Sequence, residues 1–215
     1  MKTLTKELQM ALTPAKAIDI LKAGNERFLN NLRANRNLLQ QVNETSDGQH
    51  PFAVILSCID SRASAELIFD QGLGDIFSIR IAGNVLNEDV LGSMEFACKL
   101  AGAKSIVVLG HTRCGAVKGA CDGVKLGHLS ALLQKLQPAV DAETTTASSR
   151  DSRNAGFVEK VAVLNVRLVI GLILERSAIL REMAERGEIA LIGGIYDVTT
   201  GKVDFREIEV AAAPA

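Results

Sequence analysis

Four short apolar runs, FAVILS (52–57), IFSIRIA (76–82), KSIVVLG (104–110) and EIALIGGIYDV (188–198), constrain this chain more than any other feature. Each is of strand length, and the stretches between them carry apolar residues at helical spacing. Strands that alternate with helices specify an α/β domain on a mostly parallel sheet flanked by helices. After the last run, Thr200-Gly201 turns the chain into KVDFREIEV, whose alternation suits an antiparallel edge strand.

The helical stretches have legible ends. Thr13-Pro14 is an N-cap followed by Pro at the first helical position, and Ala17, Ile18, Leu21, Phe28 and Leu32 then recur at helical spacing. Residues 33–50 read as a polar helical tail and loop, SAELIFDQG as a helical segment, and 87–103 as a helix capped by Asn87. Residues 144–156 form a polar loop, and Phe157 to Arg186 read as helix until Gly187 stops it. No repeat or linker divides the chain. Residues 1–215 are therefore expected to form one domain, with an N-terminal helical arm over about 1–48.

Charge narrows the function. With 24 basic and 25 acidic residues there is no basic stripe for nucleic acid and no electrostatic pull toward a membrane. No apolar run approaches the roughly 20 residues of a membrane helix. The N-terminal segment mixes charges through its apolar positions and does not read as a signal peptide, so a cytoplasmic location is expected, or a periplasmic one if a leader preceded it. The four cysteines are too few for a disulfide scaffold.

In open α/β sheets, ligands bind outside the carboxyl ends of the strands. Two runs end there in reactive residues. SCIDSR places Cys58, Asp60 and Arg62 at alternate positions, and GHTRCG places His111 and Cys114 on a turn that leads into a helix. Two thiols, an imidazole and a carboxylate are the ligand chemistry of zinc. Arg62 would repel a cation, but it can pair with Asp60 and hold that carboxylate off a metal, which leaves a coordination position open. Cys98 and Cys121 read as packed side chains, and His128 as a residue near a helix start.

C-x-D-x-R, followed some fifty residues later by H-x-x-C-G, resembles the β-class carbonic anhydrases. The resemblance is detailed from about Gln49 to Cys121 and looser from the first helix to the final hairpin. It implies Zn2+ on Cys58, His111 and Cys114, with Asp60 and Arg62 as a catalytic dyad and Asp60 as a fourth ligand only in a closed state. It also implies a homodimer or homotetramer with the active cleft at the subunit interface, and a sheet of four parallel strands plus an antiparallel one. The implied reaction is reversible hydration of CO2 to bicarbonate through a zinc-bound hydroxide.

Position by position, the resemblance gives Gln49 as a substrate-binding amide, Phe77 as an apolar wall, and Gly115 as a backbone N–H donor to bicarbonate. Phe96 stands where the plant-type enzymes carry Tyr. Ordinary core packing is the alternative for Phe77 and Phe96. Some family members hold an inhibitory bicarbonate on Trp, Arg and Tyr. Here Arg80 and Tyr196 match, but Ile55 replaces the Trp and Ala63 replaces a bulkier Val, so a plant-type-like pocket without that switch is expected. Two rival readings are hydrolysis of CS2 or COS on the same site, and a zinc-stabilised structural module with Asp60 as permanent ligand. Arg62 argues against the second.

Overall fold

A computed structural model describes residues 3–206. Five strands form one sheet: β1 (Ala53–Ser57), β2 (Ile76–Arg80), β3 (Ser105–His111), β4 (Ala190–Tyr196) and β5 (Val203–Arg206). Their spatial order is β2-β1-β3-β4-β5. The first four are parallel, and β5 is antiparallel to β4 at the edge. The part of KVDFREIEV beyond Arg206 lies outside the described residues.

Ten helices cover the sheet among the described residues: α1 (Lys6–Ala11), α2 (Pro14–Leu29), α3 (Leu38–Glu44), α4 (Ala65–Ile68), α5 (Glu88–Glu95), α6 (Gly115–Cys121), α7 (Gly127–Gln134), α8 (Gln137–Ala142), α9 (Ala155–Arg176) and α10 (Ala178–Glu185). None is long and apolar enough to cross a membrane. The strand pleat divides the core. Val54, Leu56, Ile106 and Val108 pack against Val166, Val169, Ile170 and Ile173 of α9. Ala53, Ile55, Val107 and Leu109 pack against Ala17 and Leu21 of α2 and Ile68 of α4. Burial on both faces is why β1 and β3 are continuously apolar rather than alternating.

Several helix ends differ from the expectation. Thr13 caps α2 as its sequence predicts, but the helix stops at Leu29, because Asn31 adopts a left-handed φ of 54°. Leu32 is therefore outside the helix and exposed. Residues 33–50 contain a helix, α3, capped by Asn37. SAELIFDQG supplies only the four residues of α4. Asn87 caps α5 through Val90 N–H at 2.8 Å, yet the helix widens into a π turn over Phe96–Leu100. The expected helix from Phe157 to Arg186 is two helices. Ser177 ends α9, and its hydroxyl accepts from Leu180 N to start α10.

The polar loop after α8 is pinned by one buried carboxylate. Glu143 accepts hydrogen bonds from the Thr145 hydroxyl and N–H and the Thr146 N–H, and it pairs with Arg150 at 3.1 Å. Arg150 lies over the Phe157 ring, 4.7 Å from its centre. The Thr145 hydroxyl first, with the other donors, holds the Glu143 carboxyl down at about 2. A depressed carboxylate stabilises the fold above its ordinary pKa and stops doing so once protonated. The wild-type protein should therefore lose stability as pH falls from 4.5 toward 2. Glu143→Gln should flatten that part of the curve of Tm against pH. Equal acid slopes in the two proteins would contradict this role.

Candidate active site

β1 and β3 are neighbours in parallel register, with Ser57 opposite Leu109. Their carboxyl ends therefore release Cys58 and His111 at the same edge of the sheet. A tight turn follows β3, in which Arg113 takes a left-handed φ of 58°. A side chain in that region costs about 1–2 kcal/mol. The turn brings Cys114 back as the residue that precedes α6. Cys58, His111 and Cys114 are all buried, and their ligand atoms lie within 4.8 Å of one another. The two sulfurs are 3.9 Å apart.

The unpaired groups in this corner fit a cation. His111 Nδ1 lies 2.9 Å from the Thr112 carbonyl oxygen, which can only accept. The ring proton therefore sits on Nδ1 and leaves the Nε2 lone pair free. Nε2 is buried without a hydrogen-bond partner among the described residues. The thiols resist a double negative charge. The hydrogen bond with Cys114 foremost, together with contacts from His111 and the Gly83 N–H, draws the Cys58 thiol down, while the Cys58 sulfur and burial push Cys114 up. A buried pair that gives up one proton readily and the second reluctantly suits a soft divalent cation.

Asp60 stands at the rim. Arg62 Nε and Nη2 donate to Asp60 Oδ1 and Oδ2 at 2.9 and 2.8 Å, and Arg62 N–H donates to Oδ1 at 3.0 Å. Oδ2 remains 4.0 Å from His111 Nε2. The Arg62 side chain is the main cause that holds the Asp60 carboxyl well below the usual carboxylate range, with burial opposing it. Arg80 braces this loop from beneath by donating to the Cys58 carbonyl at 3.2 Å and the Asp60 carbonyl at 2.7 Å. Gly115 opens α6 beside Cys114 and is exposed.

The remaining expected pocket residues do not gather here. Gln49 precedes β1, and Cys58 follows it. The five residues of β1 span roughly 17 Å. Phe77 pairs with Val54, so it lies four residues, about 13 Å, back along the sheet from Cys58. Phe77 and Phe96 meet edge to face at 6.2 Å, with Phe96 53% exposed, so Phe96 is not core. A groove of about 890 Å³ opens beside His111, but its walls come from α9, β4, β5 and the Glu143 loop, and Asp60 and Arg62 do not line it.

Cys98 is buried and Cys121 half-buried, as packed side chains. Burial pushes the Cys98 thiol up to about 12 and the Cys121 thiol to about 11. His128 is the second residue of α7. The sequence reasoning missed three contributors to the corner: the Gly83 N–H on Cys58, the Thr112 carbonyl on His111, and the Arg80 brace. Backbone groups carry no residue-type signal. The resemblance gives Arg80 a different role, at the inhibitory-bicarbonate position.

Residues 53–203 match the family model described as carbonic anhydrase. The chain is 35% identical over 202 residues to carbonic anhydrase 2 of Mycobacterium tuberculosis, covering 90% of this chain and 93% of that protein. Among solved structures, the β-carbonic anhydrase CafA of Aspergillus fumigatus aligns with a TM-score of 0.69 at 31% identity, over 82% of this chain and 83% of that one. A tetrameric β-carbonic anhydrase of Sordaria macrospora aligns with a TM-score of 0.66 at 26% identity, over 89% and 94%. The fold thus has named counterparts, and the chain belongs to the β-class carbonic anhydrases.

Proposed function

We propose that Cys58, His111 and Cys114 hold Zn2+ and that Asp60, kept in place by Arg62, orients the oxygen nucleophile in the reversible hydration of CO2 to bicarbonate and a proton. The observation that carries this reading is the doubly bonded Asp60–Arg62 pair with Oδ2 left 4.0 Å from His111 Nε2. When bound, Zn2+ lowers the pKa of water in its open coordination position enough to supply a nucleophile near neutral pH, a property for which carbonic anhydrases are the standard illustration.

The chain's own groups do the rest. Asp60 is ionised, so Oδ2 can accept a hydrogen bond but not donate one. An O–H group beside it must point its proton at Oδ2, which turns a lone pair toward the carbon of CO2. Arg62 engages both carboxylate oxygens and so keeps Asp60 from becoming a ligand that would close the site. Gly115 N–H, at the mouth of the corner, is the proposed donor to bicarbonate.

Gln49, Phe77 and Phe96 complete the pocket from a second copy of the chain, in a homodimer or a homotetramer built from such dimers. Support comes from the span of β1 that separates them from Cys58 within one chain, from exposed Ile59 beside the dyad and Phe96, and from the tetrameric relative. Two thiols that must stay reduced suit a cytoplasmic setting.

Zinc content measured together with stopped-flow CO2 hydration tests the reading. One zinc per chain, activity abolished by chelation and restored by Zn2+, is the expected result. A fully loaded protein without CO2 hydration would overturn it. Added bicarbonate at mildly acidic pH should not inhibit cooperatively. Ile55, where the switched members carry Trp, is fully buried in the sheet, and Arg80 is committed to the Cys58 and Asp60 carbonyls.

A further inference from the structure

We propose that Asn165, on α9, is a positioning residue for Cys58 that acts through Gly83; the inference rests on Cys58 being a zinc ligand. Asn165 is 3% exposed and sits among the apolar residues that α9 turns toward the sheet. A buried amide in such a place is destabilising unless it is paired. It is paired with one particular group. Asn165 Nδ2 donates to the Gly83 carbonyl at 3.0 Å, and the Gly83 N–H donates to Cys58 Sγ at 3.3 Å.

The residue between these two bonds cannot hold its own direction. Gly83 sits at φ 68°, ψ 16° in the tight turn over Ala82–Asn84. A Cβ there would stand 2.9 Å from Leu136 Cδ1 and 3.2 Å from Ala116 Cβ. Both the backbone conformation and the space therefore require glycine, the residue with the least intrinsic restraint on φ and ψ. Asn165 grips the carbonyl on one side of the Gly83 Cα, and this grip aims the N–H on the other side at the sulfur.

An N–H directed at a thiolate stabilises its charge and makes it a weaker donor to the metal. Loss of the Asn165 amide leaves the ligand set intact but lets the Gly83 N–H wander from Cys58. The zinc corner then contains a more electron-rich, less firmly placed sulfur. Thus a side chain that touches no ligand sets how one ligand donates.

Cobalt-loaded and zinc-loaded protein can be compared for wild type, Asn165→Ala and Val169→Ala. Val169 lies on the same helix in the sheet core and serves as the control for lost packing. In Asn165→Ala the thiolate-to-cobalt charge-transfer band should move to lower energy, and Zn2+ affinity by chelator competition should fall about 10- to 100-fold, because the stronger donation is outweighed by lost placement and by tighter competition from a proton for the same sulfur. Val169→Ala should lower Tm and leave the band in place. A folded Asn165→Ala protein with the wild-type band and affinity would overturn the proposal. Wild-type protein loaded with a magnetically active cadmium isotope gives a readout that needs no variant. A scalar coupling from the metal to the Gly83 amide proton is expected, and a Gly83 amide signal with no coupling would also overturn it. Failure of wild type to bind any of these metals would instead defeat the zinc assignment itself.

Discussion

Asp60→Asn should retain one zinc per chain and lower kcat for CO2 hydration by about 10²-fold or more, the scale on which small misplacements of reacting groups act. The substitution changes little in shape, and Asp60 is not among the three buried groups that converge within 4.8 Å, so metal content should not fall. What changes is polarity. The carboxylate presents only acceptors, whereas the amide presents a donor on one side. An Asn in that place has no need of Arg62, whose Nε and Nη2 now satisfy both oxygens. The amide can also turn its N–H toward the His111 side, where Oδ2 now stands 4.0 Å from Nε2, and there it would donate to the lone pair of the oxygen nucleophile that has to face CO2, instead of accepting that oxygen's proton. Stopped-flow rates and zinc content of the same sample decide it. Wild-type turnover with full zinc would remove the orienting role from Asp60, and lost zinc would make the residue a ligand instead.

The sheet was legible because burial on both faces wrote it into composition. FAVILS and SIVVLG have no polar alternation to misread, and they became β1 and β3 to within a residue at either end. Helix ends were less legible. Ser177 serves as the end of one helix and the N-cap of the next, and its hydroxyl also donates to Glu95 at 2.6 Å. A single Ser in a continuous helical pattern reads as a tolerated interior residue unless its cap role is recognised. The same holds for Asn31, whose left-handed φ cuts α2 short of Leu32.

The metal corner was legible for a different reason. Cys58 and Asp60 lie close along one strand exit, and His111 and Cys114 along the next, so local spacing carried half of the geometry and sheet order the rest. Residues that act across the fold left no such trace. The Asn165–Gly83 bond joins positions 82 residues apart, and only the packing of α9 on the Gly83 turn brings them together. For Gln49 and Phe77 the sequence offered positions but not distance. Strand register supplies the distance and sets them at the far end of β1 from the metal corner.

That distance leads to the second large effect. A mixture of Asp60→Asn chains and Gln49→Ala/Phe77→Ala chains should recover activity that neither variant shows alone. In a two-fold dimer each protomer presents the same surface to the other. If one chain supplies the metal corner and its partner supplies Gln49 and Phe77, a mixed dimer holds one site with both defects and one with none. Random pairing then restores about a quarter of the wild-type sites, because half of the dimers are mixed and one of their two sites is intact. If instead each chain builds its whole pocket, every site in every dimer carries one defect and mixing restores nothing. Folding loss is a poor explanation of either variant's inactivity, since Gln49 is exposed and Asp60 and Phe77 are only half-buried. Co-expression from one plasmid, with tags that isolate the mixed dimer, separates the outcomes: about half the wild-type rate for the purified mixed species, against a rate no higher than that of the better variant.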